Sequence, residues 1–212
     1  MANKLNVNPT RQELLKLKIK LKTALRGHKL LKEKRDGLMK NFMAIIRQAK
    51  ELREQIEKEI GQGFFSFIFT SAKMRQVEIK EALLVPTKKV SLQALTKNIM
   101  GVEVPEFNYQ QEGDFLCYDL ATTSTSLDGA LQTFSNALKI MVKLAEVEHS
   151  AKLLAAEIEK TRRRVNALEY VFIPDMQETI KYITAKLNEQ ERSTIITLIK
   201  IKDVIAKQEM VK

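Results

Sequence analysis

Residues 10–60 read TRQELLKLKIKLKTALRGHKLLKEKRDGLMKNFMAIIRQAKELREQIEKEI, with apolar side chains spaced alternately three and four apart. One heptad register runs through this stretch without a break. Its two seam positions hold Leu14, Leu21, His28, Arg35, Phe42, Ala49 and Ile56, and Leu17, Ala24, Leu31, Leu38, Ile45 and Leu52. The spacing is typical of a coiled coil, and its narrow apolar stripe needs a partner helix of similar length.

The ends of this first helix are marked by local signals. Thr10 can cap the start of the helix, and Glu13, three residues later, can complete a capping box. No proline follows for about 50 residues, and Gly61-Gln62-Gly63 predicts a stop after Ile60. A helix of this length would extend for roughly 75 Å.

The partner helix is predicted in the C-terminal part of the chain, residues 127–207. Its seam residues are Leu154, Ile158, Thr161, Val165, Leu168 and Phe172. The spacing then becomes four and four through Met176 to Ile180, before Ile183 and Leu187 resume the heptad, which indicates a stutter. Pro174 lies inside it and removes a backbone donor from the turn that includes Tyr170. We therefore expect a bend or a loosened turn there.

The middle of the chain, residues 61–126, has a different pattern. It begins with the phenylalanine cluster FFSFIF, residues 64–69, followed by a predicted short helix that Pro86 closes. Alternating apolar residues then predict two short strands joined as a hairpin. The predicted spans are 73–84 for the helix, 90–94 and 102–104 for the strands, 97–101 for the connection and 110–126 for a polar loop.

These elements predict an all-α dominated fold, a long antiparallel two-helix coiled coil with a small central insert. Parallel packing would need a return connection nearly as long as the helices, so antiparallel packing is the simpler arrangement. The chain divides into residues 1–60 for the N-terminal helix, 61–126 for the insert and 127–212 for the C-terminal helix.

Composition excludes several folds and argues against insertion into a membrane. The 212 residues include only 7 glycines, 4 prolines and 6% aromatic residues, too few turn formers and core aromatics for a β-sandwich or barrel. No apolar run approaches the roughly 20 residues that span a bilayer, and no secretory signal is recognisable, which predicts a cytoplasmic protein. We expect no membrane insertion.

The sequence also lacks the usual signatures of catalysis. One cysteine, Cys117, and two isolated histidines, His28 and His149, predict neither a disulfide framework nor a metal site. No phosphate-binding glycine loop, nucleophile elbow or zinc-protease motif occurs. We therefore assign no catalytic residue, no metal and no cofactor.

The net charge of +10 is concentrated near the N-terminus, where residues 10–40 carry 11 basic and 3 acidic side chains. Such a basic surface attracts nucleic acid, anionic lipid or an acidic protein, and it also occurs as a plain solvated helix face. A nucleic-acid-binding coiled coil and a homodimeric tethering coiled coil are both compatible with these patterns.

Polar residues at the seam leave two interpretations open. His28 and Arg35 either specify the register of the coil or face a partner where the helices separate near Gly27 and Gly37. The triplet Arg162, Arg163 and Arg164 is either a solvated face or a partner contact.

Several long segments resemble the D subunit of the V-type and archaeal-type rotary ATPases. The matching segments are VNPTR (residues 7–11), RGHKLLKEKRD (26–36), TRRRVNALEYVFIP (161–174) and ETIKYI (178–183), with KNIM (97–100) in the less distinctive insert. The resemblance covers both long helices in order. It is far more specific than any short motif.

The resemblance implies a non-catalytic central-stalk subunit that binds no nucleotide. Its paired helices would enter a ring of catalytic A and nucleotide-binding B subunits, and the small F subunit would attach along the coil. The other end would meet a funnel-shaped connector above the membrane rotor ring. The protein would thus transmit torque on the cytoplasmic face of the membrane.

Two groups of residues are candidates for these contacts. The basic stripe is predicted to face acidic surfaces of A and B, and consists of Arg11, Lys16, Lys18, Lys20, Lys22, Arg26, Lys29 and Lys32, with Lys200 and Lys202 on the opposing helix. In the phenylalanine cluster, Phe65 and Phe67 are predicted either to pack under the hairpin or to seat the connector. Arg162, Arg163 and Arg164 complete the set.

Overall fold

Long helices dominate the described residues, and one hairpin lies between them in the chain. A computed structural model describes residues 5–84, 87–114, 118 and 123–209. In chain order the elements are α1 (Arg11–Lys73), α2 (Gln76–Ala82), β1 (Lys89–Ile99), β2 (Val102–Glu112), α3 (Thr125–Ala167), a π-helical turn (Leu168–Phe172) and α4 (Ile173–Glu209). The predicted all-α dominated fold with a central insert is confirmed.

The chain forms two compact units. The first unit combines Met1–Arg35 with Lys160–Lys212, and the second consists of Asp36–Glu159. Helix α1 supplies residues to both units because it continues without interruption from Arg11 to Lys73.

In the first unit, α1 packs against α4 through a small apolar core. Leu17, Met176 and Ile183 are buried together. Arg11 forms an ion pair with Glu191, and His28 Nε2 lies 3.3 Å from Glu169 Oε2. Since rising residue numbers on α1 meet falling numbers on the opposite helix, the two helices run antiparallel. The residues that surround the core are Leu14, Leu21, Ala24, Ile180 and Leu187.

In the second unit, α1 packs against α3 in the same sense. Leu38 is fully buried beside Leu154 and Ile158. Further along α1, Arg53 forms an ion pair of 2.5 Å with Glu148. The seam predicted for α1 is confirmed, because every seam residue from Leu14 to Ile56 is buried or half-buried.

The predicted end of the first helix after Ile60 is wrong. Helix α1 continues through both glycines and the phenylalanine cluster to Lys73. Gly63 is buried, and a Cβ at this position would lie 3.1 Å from the ring of Phe134 on α3. Glycine in a helix costs about 1 kcal/mol relative to alanine, and the close packing of an aromatic ring offsets this cost.

The hairpin is longer than the sequence predicted. The strands pair from Lys89 opposite Glu112 to Ile99 opposite Val102. Met100 and Gly101 form the two-residue turn with φ of 53° and 86°, the left-handed pair typical of a type I′ hairpin turn. The backbone N–H of Gly101 donates to Asn98 Oδ1 at 2.8 Å, which supports the turn.

The rest of the insert agrees in part with the expectations. The short helix is confirmed as α2, while Pro86, predicted to close it, lies outside the described residues. Residues 110–112 belong to β2 and not to the predicted loop. Cys117 also lies outside the described residues. At the hairpin tip, a Cβ on Gly37 would lie 2.7 Å from Met100 Cε, so glycine allows this close approach to α1.

The loosened turn predicted near Pro174 is confirmed as the π-helical turn Leu168–Phe172. The N–H of Ile173 bonds to the carbonyl of Leu168, five residues earlier, and Pro174 has no N–H to donate. This wider turn rotates the side chains that follow it. The predicted seam position of Phe172 is therefore wrong, because its side chain is 56% exposed while Met176 and Thr179 are buried.

The fold predicts a large difference between two adjacent positions on α1. Leu38→Ala removes a fully buried side chain between Leu154 and Ile158, so we expect a loss of about 2–5 kcal/mol in unfolding free energy. Met39→Ala, at a position 42% exposed, should cost less than about 1 kcal/mol. Urea denaturation followed by circular dichroism measures both, and equal losses would contradict this assignment of the seam.

Candidate functional site

The candidate sites on this chain are exposed surfaces. Among the residues that the structure describes, no group of three or more His, Cys, Asp or Glu side chains could hold a metal ion. None of the described helices is both long and apolar enough to cross a membrane. The property that distinguishes the predicted contact residues is therefore whether their side chains remain exposed after the helices have paired.

The α1 residues of the basic stripe, from Arg11 to Lys32, all lie on its exposed surface in the first unit. Lys16 Nζ forms an ion pair of 2.8 Å with Glu13, and Arg11 pairs with Glu191. The others form no ion pair with any residue in the described part of the chain. These unpaired cations are Lys18, Lys20, Lys22, Arg26, Lys29 and Lys32.

Helical geometry divides the basic stripe into two flanks. Lys18, Lys22 and Lys29 follow each other at intervals of four and seven residues, so they lie along one side of the seam. Lys16 and Lys20, four residues apart, lie along the other side. The basic stripe thus forms two basic borders, one on each side of the contact with α4.

Among the described residues of the first unit, no helix lies beside the C-terminal part of α4. Arg11, the first residue of α1, already pairs with Glu191, and α4 continues to Glu209. All side chains from residue 191 to residue 205 are exposed, including Lys200 and Lys202. Large apolar residues are among them, each 45% exposed or more: Ile195, Ile196, Leu198, Ile199, Ile201, Val204 and Ile205.

These apolar residues were missed as candidate contacts. The signal in the sequence was the apolar run IITLIKIKDVI at residues 195–205. Periodicity identified a helix but did not show where its partner ended. Because exposed apolar surface of this extent marks an interaction site, it belongs to the candidate contact surface.

The polar seam residue His28 is half-buried and faces a carboxylate. Its side chain is 19% exposed, and its Nε2 atom lies 3.3 Å from Glu169 Oε2 in the π-helical turn. The same turn presents Tyr170, Val171 and Phe172 to the surface, with 71%, 52% and 56% exposure. Arg162, Arg163 and Arg164, one turn earlier, are exposed as well.

The phenylalanine cluster divides into packed and exposed members. The rings of Phe64 and Phe67 lie edge-on to Phe134 of α3, with centroids 5.5 Å and 6.5 Å away. By contrast, Phe65 is 75% exposed and Ile68 is 65% exposed. The cluster therefore uses one helix face for packing and presents another face to solvent.

A cavity of about 250 Å³ lies beside Phe134 at the base of the hairpin. Leu83, Val90 and Leu131 contribute apolar walls, and Lys88 Nζ donates to Ser135 Oγ at 2.5 Å. Its lining is mainly apolar.

Comparison with known proteins matches these features to one family along nearly the whole chain. Residues 13–203 match the family model described as the D subunit of ATP synthase. The V-type ATP synthase D subunit of Clostridioides difficile is 50% identical over 208 residues, covering 97% of this chain and 94% of that protein. The chain belongs to the D-subunit family of V-type ATP synthases.

Other D subunits support the same assignment. The protein of Acetivibrio thermocellus is 49% identical over 208 residues, with 96% of this chain and 94% of that protein covered. A Clostridium botulinum protein is 47% identical over 211 residues, with 97% and 98% covered. This member of the D-subunit family is therefore a component of a V-type ATP synthase complex. The residues that match the family model include most of α1 and most of α4.

The division of the phenylalanine cluster predicts that two similar substitutions have different effects on stability, one large and one small. Phe67→Ser removes an aromatic contact with Phe134 and should lower the unfolding free energy by about 1–3 kcal/mol. Phe65→Ser, at an exposed position of the same helix, should change it by less than about 0.5 kcal/mol. Thermal denaturation of both variants measures the difference, and a large loss for Phe65→Ser would show that its ring packs internally.

Proposed function

We propose that this D subunit is the non-catalytic shaft of the central stalk and transmits torque between the nucleotide-hydrolysing ring and the membrane rotor ring. The observation that carries the proposal is the exposed end of α4. Helix α4 continues past Glu191, which pairs with the first residue of α1, and its apolar and basic side chains stay exposed as far as residue 205. Such an exposed surface requires a surrounding protein surface. A ring of A and B subunits supplies such a surface.

The helix pairing suits a torque-bearing element. Turning one end of a shaft must rotate the other, which requires that neighbouring helices do not slide past each other. The seam opposes sliding because buried side chains such as Leu17 and Ile183 interlock, as knobs pack into holes. The lack of a recognisable catalytic motif in the sequence is in keeping with a mechanical and not an enzymatic role.

The basic borders of α1 complement acidic partner surfaces. Lys18, Lys22 and Lys29 are exposed and aligned, and cations in this state interact over distances of about 10 Å at moderate ionic strength. We assign them, with Lys16, Lys20, Arg26 and Lys32, to attraction towards acidic faces of A and B. Lys200 and Lys202 extend the same attraction along α4.

Two further surfaces are assigned to the remaining partners. The small F subunit attaches along the paired helices, where the arginines 162–164 and the exposed side chains of the π-helical turn lie on one segment. The funnel-shaped connector is assigned to the exposed face of the phenylalanine cluster, with Phe65 at its centre. The protein thereby works at the cytoplasmic face of the membrane without inserting into it.

Native mass spectrometry of this chain mixed with purified A, B and F subunits tests the shaft role. We expect one copy of the chain per ring, and loss of that copy when residues 1–20 and 192–212 are both removed. No association, under conditions in which the shaft of a related complex assembles, would refute the proposed role.

Charge reversal tests the basic borders. Lys18→Glu, Lys22→Glu and Lys29→Glu together should weaken ring binding about tenfold at low salt, since each exposed contact contributes up to about 1 kcal/mol. The wild-type affinity should also fall more steeply with salt than that of the variant. The control triple Lys139→Glu, Lys143→Glu and Lys152→Glu makes the same charge change on exposed positions of α3 and should bind normally. Equal affinities for both triples would contradict the assignment.

The connector assignment is tested by Phe65→Ser in binding measurements with the purified connector protein. Loss of an exposed aromatic anchor should weaken binding by about tenfold while the melting temperature stays unchanged. Glu57→Ser, at an exposed position two turns earlier on the same helix, is the control. Unchanged binding by Phe65→Ser would remove this residue from the connector surface.

A further inference from the structure

The two outer edges of the hairpin differ in what covers them. On β2, the backbone N–H of Phe107 donates to Glu146 Oε2 of α3 at 3.1 Å. This N–H therefore points away from β1. Since Phe107 lies opposite Ala94, the two residues form a pair without mutual hydrogen bonds, and the N–H and carbonyl groups of Ala94 also point outward.

In an antiparallel pair of strands, backbone groups point alternately towards the partner strand and away from it. The direction found for Phe107 and Ala94 therefore fixes the direction for every residue of both strands. Counting by twos from Phe107, the backbone groups of every second residue of β2 point to its outer side. Pro105 is one of these residues. Proline has no N–H to offer, and Glu146 already occupies the N–H of Phe107. The outer edge of β2 is therefore closed to a further strand.

The outer edge of β1 is open. The N–H and carbonyl groups that point outward along it belong to Val90, Leu92, Ala94, Thr96 and Asn98. In the described part of the chain, the sheet has two strands and no group bonds to these outward N–H groups. The strand is 11 residues long, contains no proline, and is exposed at every position except Ile99. Edge strands of this length are usually blocked or paired.

Charge and apolar content specify what the open edge fits. Residues 88–99 carry Lys88, Lys89 and Lys97 and no acidic residue. Leu92 and Leu95 are 50% and 51% exposed, one on each face of the strand. A second copy of β1 would bring two basic strands together, which is unfavourable, whereas an acidic strand with apolar side chains complements both features.

We propose that the outer edge of β1 receives an extended, acidic segment of a partner polypeptide as a third strand. Backbone hydrogen bonds to the five outward-facing residues supply the affinity, and the lysines select the acidic partner. This inference is independent of the torque-transmitting role, because a strand can be added to the hairpin whether or not the protein rotates.

Hydrogen exchange resolved to single amides tests the proposal, in the isolated chain and in the purified ATP synthase complex. In the isolated chain, the outward amides of residues 90, 92, 94, 96 and 98 should exchange fast and the inward amides of 91, 93, 95, 97 and 99 slowly. In the complex, the outward set should slow by about a hundredfold. Outward amides that stay fast in the complex would overturn the proposal, as would a dimeric isolated chain in which they are already slow.

Proline substitution distinguishes the addition of a partner strand from coverage of the β1 edge by a partner surface without backbone hydrogen bonds. Ala94→Pro removes an outward N–H, as Pro105 does on β2, so the hairpin should fold and its melting temperature should hardly change. Reassembly with complex depleted of this protein should weaken about tenfold through the lost hydrogen bond and the steric block. Ala94→Ser, which keeps the N–H, should reassemble like the wild type.

A second proline tests the assignment of the two edges. Gln93→Pro removes an inward N–H that bonds to β2, so it should destabilise the hairpin and expose the inward amides to exchange. Normal reassembly of Ala94→Pro, with its hairpin intact by hydrogen exchange, would overturn the proposed strand addition and leave the assembly of the protein through its other surfaces unaffected.

Discussion

The structure depends on one constraint, which is that a narrow apolar stripe on a long helix can be covered only by another helix. The stripe on α1 is two residues wide per heptad, too narrow to build a globular core and too apolar to leave in water. Burial of Leu17 against Ile183, and of Leu38 against Leu154, satisfies it in each unit. The pairing is antiparallel because residues with rising numbers on α1 meet residues with falling numbers on the helix that covers them in each unit.

The same constraint explains where surface remains for partners. Side chains outside the seam are free to carry charge, which is why the lysines of α1 stand along both borders of the contact. Between residues 195 and 205, the apolar residues of α4 stay exposed. Apolar surface of this extent is a candidate interaction site, built from the same type of repeating apolar pattern that forms the core elsewhere.

Local sequence was enough to predict the heptad seam of α1, the presence of the hairpin and the loosened turn near Pro174, because periodicity and the backbone chemistry of proline need no knowledge of distant residues. The antiparallel pairing was predicted from the length of the connection that parallel packing would need. Pro174 cannot donate a hydrogen bond, and the chain responds with a π-helical turn that places Glu169 beside His28. The basic residues proposed as partner contacts were chosen from the sequence by number, and their role as contacts stays a prediction; their side chains are exposed.

Packing between distant residues determined which side chains are covered. Gly63 does not end α1, since its missing side chain admits the ring of Phe134, and the same ring separates packed Phe67 from exposed Phe65. The pairing also left α4 uncovered beyond Glu191 and, through α3, closed one edge of the hairpin and not the other. The physical reason is that a side chain is buried only when another part of the chain packs against it. Residues far apart in sequence therefore determine together which side chains are exposed.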